Sequence, residues 1–264
     1  MALIDKLSAV GNAIRSKTGK TEKMTLDEMP IEIESITTSE NLDDVLTEQE
    51  TLIEELNAVL EEKAAGSGGG FDSSVNAFFA GTLEEIDCEE ATKINQYTFD
   101  ANNGIKRVRF ANVTEIGAYN FRECDLLESI DLPNATGSAG NGFGQGCAVL
   151  TSVNVPKITE FGNYAFQSAS SIEKLDLPSV TSFGNYCLRY TTALTTLILR
   201  YTGGVVSRGS SVLASSGISS KRGYIYVPKA LIEDYKVSNG WSTYAAQFRA
   251  IEDYPEICGG DVNG

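Results

Sequence analysis

Residues 127–133 (LESIDLP), 150–156 (LTSVNVP) and 172–178 (IEKLDLP) repeat one pattern. Apolar and polar residues alternate in each, so each reads as a short strand with one buried face. Pro133, Pro156 and Pro178 then close the strand, because proline has no N–H to give to a ladder. Working outward, Leu83, Ile105, Leu127, Leu150, Ile172 and Leu194 follow at spacings of 22, 22, 23, 22 and 22 residues. Further apolar positions move in step: Ile86, Val108, Ile130, Val153, Leu175 and Leu197, then Cys88, Phe110, Leu132, Val155, Leu177 and Leu199. Later in each unit come Phe99, Phe121, Phe143, Phe166 and Leu188. A fixed period in the twenties marks a stacked solenoid. One unit has too little core to stand alone, so neighbours must share a continuous interior.

A second short apolar element follows each strand: EIGAYNF (115–121), EFGNYAF (160–166) and SFGNYCL (182–188). Its glycine is expected to supply a turn. The whole unit reads L-x-x-I-x-L-P-x-x-T-x-I-G-x-x-A-F, met best over 172–188 and 105–121. It resembles the BspA-like leucine-rich repeats. That family appears in surface-exposed and adhesive proteins, so the resemblance implies binding and no chemistry. Residues 133–147 (PNATGSAGNGFGQGC) depart from the pattern: they are Gly-rich, lack the Ile-Gly pair and carry the one-residue insertion, which predicts a looser turn.

Composition narrows function. The net charge of −15 repels nucleic acid and anionic lipid, which sets both aside as partners. There is no apolar run long enough to insert into a membrane and no leader with a cleavage site, so a soluble chain, not secreted by the usual route, is expected. Histidine is absent, which removes Ser-His-Asp and Cys-His nucleophile pairs and His-metal sites. Cys88, Cys124, Cys147, Cys187 and Cys258 form no CxxC and read as small buried fillers. The acids lie on exposed strand positions such as Asp131 and Asp176 or on a helix. No phosphate-binding fingerprint occurs, since GSGGG (66–70) lacks the Lys-Ser/Thr and reads as a linker. No catalytic residue, metal site or cofactor is expected.

At the amino terminus, Leu3, Ile4, Leu7, Val10 and Ile14 put one apolar stripe on a helix. Thr25 or Asp27 caps a short second helix, and IEIESI (31–36) alternates as a strand would. Leu7, Ile14, Arg15, Lys17, Thr18, Gly19, Leu26, Met29 and Pro30 fit the string L-x-x-I-x-x-A-I-R-x-K-T-G-x-x-x-x-x-x-L-x-x-M-P. This resembles an opening module of tail and virion-surface proteins from phages and prophages of Gram-positive bacteria. The resemblance implies that residues 1–38 dock on other virion or tail proteins; a small helical cap without a docking role is the plain alternative.

Residues 41–63 then read NLDDVLTEQETLIEELNAVLEEK. Leu42, Gln49 and Leu56 share one heptad position, and Val45, Leu52 and Val59 another. Leu46, Ile53 and Leu60 widen the stripe, which with polar Gln49 in the seam suits three chains better than two. A helix folded back on its own repeat domain is the alternative, and the Gly-rich link that follows argues against it. Phe78 and Phe79 are expected to cover the open end of the first unit.

After Leu199 the period breaks, and 200–223 reads as a polar loop with one short helix. A strand (224–228) and a helix (229–238) follow, with Trp241, Tyr244, Phe248 and Ile251 beyond. This closing string resembles the terminal segment of the same repeat proteins, whose job is to seal the last unit. Trp241 is a possible glycan-stacking platform, but beside Tyr244 and Phe248 it reads as core.

The expected class is thus α+β: an anchoring module (1–38), a trimeric coiled-coil stalk (39–63), a linker (64–70), a leucine-rich-repeat solenoid (71–223) and an α/β cap (224–264). That order is how an attachment fibre is built, so the leading reading is a homotrimeric phage tail or virion fibre protein, made in the host cytoplasm and ending up on the virion, whose tip binds a host surface glycan or protein. Candidate contacts lie where the units diverge: Arg189, Tyr190, Arg200, Tyr201 and the loop 203–211. A head-decoration or baseplate adaptor that touches only virion proteins is the other reading. A depolymerase is disfavoured by the missing histidines.

Overall fold

The computed structural model describes residues 70–71, 84–89 and 91–258. The anchoring module, the stalk with Leu42, Val45, Gln49, Leu52, Leu56 and Val59, and Phe78 and Phe79 lie outside the described residues.

Each unit lays down three pieces of backbone, and each piece stacks on its counterpart in the next unit. The first row holds the proline-ended strands. β2 (Glu85–Cys88), β4 (Arg107–Phe110), β6 (Ser129–Asp131) and β8 (Ser152–Asn154) form one parallel sheet, in the order β2-β4-β6-β8. β10 (Lys174–Leu177), β12 (Thr196–Leu199), β14 (Tyr224–Val227) and β15 (Phe248–Ala250) form a second. The register keeps equivalent residues side by side: Ile86, Val108, Ile130 and Val153, then Leu175, Leu197, Ile225 and Phe248. The second row holds shorter strands, with β1 (Gly70–Phe71), β3 (Lys93–Ile94) and β5 (Glu115–Ile116) in one sheet. β7 (Gly137–Ser138), β9 (Ile158–Phe161), β11 (Ser182–Phe183) and β13 (Ser207–Arg208) form the other.

The third row is neither helix nor strand, yet its backbone is as fully paired as a ladder. Phe99 N donates to Asn120 O at 3.1 Å, Phe121 N to Phe143 O at 2.9 Å, Gly144 N to Ala165 O at 2.6 Å, Phe166 N to Cys187 O at 2.7 Å and Leu188 N to Val212 O at 3.0 Å. Every second residue donates to the next unit, which requires the chain to alternate its hand. Tyr97 and Ala101, Tyr119 and Glu123, Gly142 and Gly146, Tyr164 and Ser168, and Tyr186 and Tyr190 all have positive φ. For residues other than glycine this costs on the order of 1–2 kcal/mol each, offset by the hydrogen bonds that the alternation allows.

The repeat glycines have a different task from the expected turn. Gly117, Gly162 and Gly184 have ordinary φ, but a Cβ on any of them would overlap the backbone of the unit before, at Gln96, Gly140 and Gly162–Asn163 respectively. They allow close approach, and tyrosines take the left-handed positions instead. Asparagines lock the same corner: the Oδ1 of Asn141, Asn163 and Asn185 accepts from Asn163 N, Asn185 N and Ser210 N at 2.8, 2.8 and 2.7 Å.

The interior is one column of side chains. Phe99, Phe121, Phe143, Phe166 and Leu188 are all fully buried, and successive phenylalanines meet at 5.6, 5.4 and 5.7 Å between ring centroids. Each such ring contributes about 1.5–3 kcal/mol by burial. Cys124, Cys147 and Cys187 are buried in this packing as free thiols. Burial pushes the Cys187 thiol up; at Cys124 a hydrogen bond with Cys147, and then burial, act the same way. Cys88 is half-buried and Cys258 is exposed.

Two features differ from the sequence expectation. At the Gly-rich unit the second row breaks between β5 and β7, the register shifts at Gly137/Ser138, and the first row divides one unit later, after β8. The third row runs through both breaks. The solenoid also continues past Leu199. Residues 209–222 make another third-row rung instead of a loop with a short helix, held by Tyr186 N→Ser210 O and Tyr190 N→Ala214 O, with Val206, Val212, Leu213 and Ile218 fully buried. β14 and β15 belong to the first row as well, so the boundary expected at 223 falls inside the stack.

The cap follows. Helix α1 (Ile232–Val237) and a 3-10 segment (Ser242–Gln247) bring Tyr235, Trp241 and Phe248 together at centroid distances of 5.2–6.2 Å. Trp241 is 1% exposed; its Nε1 donates to Val206 O at 2.7 Å, and Val206 N donates to the Tyr235 hydroxyl at 3.0 Å. Burial pushes that hydroxyl's pKa up to about 12. Trp241 therefore seals the last unit and offers no open ring face.

Phe143 sits in the unit where the second row is interrupted, between Phe121 and Phe166, so its packing helps to carry that junction. Phe143→Ala is expected to cost about 3–5 kcal/mol, read as a lower urea midpoint in equilibrium unfolding; a loss below 1 kcal/mol would contradict the shared interior.

Candidate functional site

With the inward positions filled, function must reside on outward side chains, and each row presents a different surface. On the first row the outward residues of the early strands form a lattice of opposite charges. Arg107 pairs with Glu85 and, at 3.1 Å, with Glu128; Arg109 reaches Asp87 at 3.0 Å and Asp131 at 3.3 Å. These are exposed pairs between neighbouring units, worth little individually, and they neutralise the cations that would otherwise draw an acidic ligand.

Further along the row the outward face turns apolar and is covered. Ile198 and Tyr226 pack under Ile251, Ile257 and partly buried Tyr254. Ile251 opens a 3-10 turn (Ile251–Asp253), and Ile257 lies on helix α2 (Pro255–Cys258). Arg200 fastens this strap. It pairs with Asp176 through Nε at 2.9 Å and Nη2 at 2.7 Å, and Nη2 also donates to Ile257 O at 2.7 Å. Arg200, expected among the receptor contacts, is thus committed to holding the chain terminus on the sheet. Tyr201 is half-buried against Gly203.

The third row carries an aromatic column. The left-handed positions are Tyr97, Tyr119, Gly142, Tyr164, Tyr186 and Ser211. Tyr97 stacks on Tyr119 at 5.2 Å and Tyr164 on Tyr186 at 5.4 Å, with interplanar angles of 6° and 8°. Gly142 interrupts the column, and the Tyr119 ring lies against it, where a Cβ would overlap. An arginine accompanies each pair. Arg122 lies 5.3 Å from the Tyr119 ring and is clamped by Asp100 through two bonds of 2.7 Å. Arg189 lies 5.2 Å from the Tyr186 ring and 4.4 Å from the Tyr190 ring, and donates to the Tyr190 hydroxyl at 2.7 Å. The structure thus brings Arg189 and Tyr190 together with Tyr164 and Tyr186, two residues that the sequence reading passed over. Their signal was present: the pair GNY recurs at 162–164 and 184–186.

Arg208 is the other unusual cation. Its Nη2 donates to Gly240 O at 2.8 Å, the group lies 5.3 Å from the Trp241 ring, and its buried Nε and Nη1 find no partner. Burial lowers its pKa. Those nitrogens are closed off by the cap, so Arg208 braces it from inside. Among the described residues no group of acids and cysteines is arranged to hold a metal, and no helix is long and apolar enough to cross a membrane.

The family model for the BspA type leucine rich repeat region matches residues 74–195 in 6 copies. That stretch is similar to the BspA-type leucine-rich repeats. The match is to a repeat region and to no enzyme family. Among solved structures, the chain is similar to a leucine-rich repeat protein from Bacteroides ovatus (16% identity, TM-score 0.39, 59% of this chain and 46% of that one). It is also similar to a leucine rich cell surface protein from Faecalibacterium prausnitzii (18% identity, TM-score 0.47, 64% of this chain and 48% of that one). The chain thus spans about half the length of each. No curated protein matches it. The solenoid described above continues past the matched residues, through β13, β14 and β15.

Two arginines near the end of the solenoid therefore have opposite expectations. Arg200→Ala is expected to lose about 1–3 kcal/mol, because Asp176 and the Ile257 carbonyl lose a charged partner. Arg189→Ala is expected to lose about 1 kcal/mol or less, the scale of an exposed cation–π contact. Thermal unfolding of the two variants side by side checks the ranking.

Proposed function

We propose that this chain is a non-enzymatic attachment protein of a virion, a homotrimeric tail or surface fibre whose leucine-rich-repeat tip binds a component of the host cell surface. The observation that carries the reading is the division of the repeat unit. Its inward positions are given over to packing, while the third row exposes tyrosine and arginine, the residue types favoured as binding anchors. A solenoid changes these outward columns unit by unit at little cost to its interior.

The rest of the reading rests on sequence. The 1–38 string resembles the opening module of tail proteins, the heptads of 39–63 suit three strands, and the linker frees the tip from the stalk. Three weak sites on one stalk gain avidity through effective concentration. The phage assignment draws on the amino-terminal resemblance alone. A decoration or adaptor protein would use the same scaffold toward virion partners only.

Sedimentation equilibrium of the full-length chain tests the stalk. A mass near three times 28.4 kDa is expected, falling to that of one chain in Leu52→Asp. A monomeric wild-type chain would end the fibre reading.

A further inference from the structure

Taking the third row as the binding face, a reading on which this step rests, the geometry points to a carboxylate-bearing glycan as its ligand, held by Tyr164, Tyr186, Arg189 and Tyr190. The argument starts from a comparison inside the molecule. Asp100, Arg122, Gln145, Gln167 and Arg189 occupy the same place in successive units, three residues after the left-handed position. In the early units an aspartate precedes an arginine, and Asp100 satisfies Arg122 completely enough to take two of its nitrogens.

In the later units glutamine precedes the arginine. Gln167 is neutral, its Oε1 is buried without a partner, and Arg189 makes no ion pair with any described carboxylate. Its one side-chain hydrogen bond goes to the Tyr190 hydroxyl. In a chain of net charge −15, Arg107, Arg109, Arg122 and Arg200 are all paired with acids, and Arg222 and Arg249 spend their guanidinium groups on backbone carbonyls, whereas Arg189 has neither. It is also held in place, flanked by the Tyr186 and Tyr190 rings, so little freedom is lost when a carboxylate binds.

The neighbouring rings define the remainder of the ligand. Tyr164 is 37% exposed and Tyr190 39%. Tyr164 stacks on Tyr186 only; the unit on its other side presents Gly142 and no ring. The platform is therefore a run of aromatic faces ending in a cation. A peptide would bind differently. Strand addition needs unpaired backbone, but Tyr164, Phe166, Tyr186, Leu188 and Tyr190 all donate to the next unit. A pyranose ring needs no backbone partner: its C–H face lies on tyrosine, and a uronic-type carboxylate meets the guanidinium in a two-bond fork. Arg122, with the same tyrosine pair but its own aspartate, is the built-in control.

The test is a calorimetric titration of the full-length chain with polygalacturonate, its methyl ester and poly-glutamate. Polygalacturonate is expected to bind, and the ester and poly-glutamate at least about tenfold more weakly, the scale of one charge-assisted hydrogen bond. Arg189→Gln is expected to lose that factor and Arg122→Gln to lose none. Gln167→Asp, which rebuilds the Asp100–Arg122 clamp, is expected to abolish binding while leaving the melting temperature unchanged or raised. Equal binding of acid and ester, equal binding of poly-glutamate, no binding of polygalacturonate, or an Arg189→Gln variant that binds like wild type would each overturn the inference. The stalk measurement reports separately on the fibre reading, so the two can fail independently.

Discussion

The constraint on which this structure depends is that every second N–H of the third row reaches its partner only in the next unit, while others close short turns within their own. A chain that is neither helix nor strand must still satisfy its buried N–H groups. Here turns such as Gln167 N→Tyr164 O and Arg189 N→Tyr186 O satisfy some, and the next unit satisfies the rest, from Phe99 N→Asn120 O to Leu188 N→Val212 O. Reaching it puts every fourth residue into the left-handed region, an expense that no isolated unit could offset. Stacking is therefore a condition for each unit to fold at all. The same constraint explains Gly117, Gly162 and Gly184, since backbones this close leave no room for a Cβ. It explains the asparagine ladder too, which fills the hydrogen-bonding capacity left at that corner.

The constraint also separates structure from function within the repeat. Phe99, Phe121, Phe166 and Leu188, each two residues past a left-handed tyrosine, point inward, and Phe143 fills the column beside Gly144, which holds that place in its own unit; the tyrosines at the left-handed steps point outward. A column of tyrosines results wherever successive units keep the same choice, and a break results at Gly142 where they do not. The charged lattice of the first row and the strap held by Arg200 take up much of the remaining surface. On the third row Tyr164 and Tyr190 stay open beside Tyr186 and Arg189.

Much of the fold was legible because it follows from period alone. Equivalent apolar residues 22 or 23 apart had to share an interior, and prolines had to end strands. The last unit was not legible, because insertions lengthen its spacing: Ser182 pairs with Ser207 and Thr196 with Tyr224, at 25 and 28 residues. Nor does sequence distinguish a glycine needed for its φ from one needed for its missing Cβ. Tyrosine at positive φ runs against the usual preference, which hid the column. Arg189 and Tyr190 were visible as divergent residues, whereas the fate of Arg200 depended on Asp176, 24 positions away in sequence but adjacent in the sheet.

If the third row is what couples the units, it must do so both at the Gly-rich unit, where the second row is interrupted, and one unit further on, where the first row is. Hydrogen exchange of the full-length chain reads this directly at the amides of Phe99, Phe121, Gly144, Phe166 and Leu188. One common opening free energy, equal to that of global unfolding, is the expected result. Phe99 and Phe121 exchanging at a free energy unrelated to that of Phe166 and Leu188 would mean two independent blocks, and would contradict it.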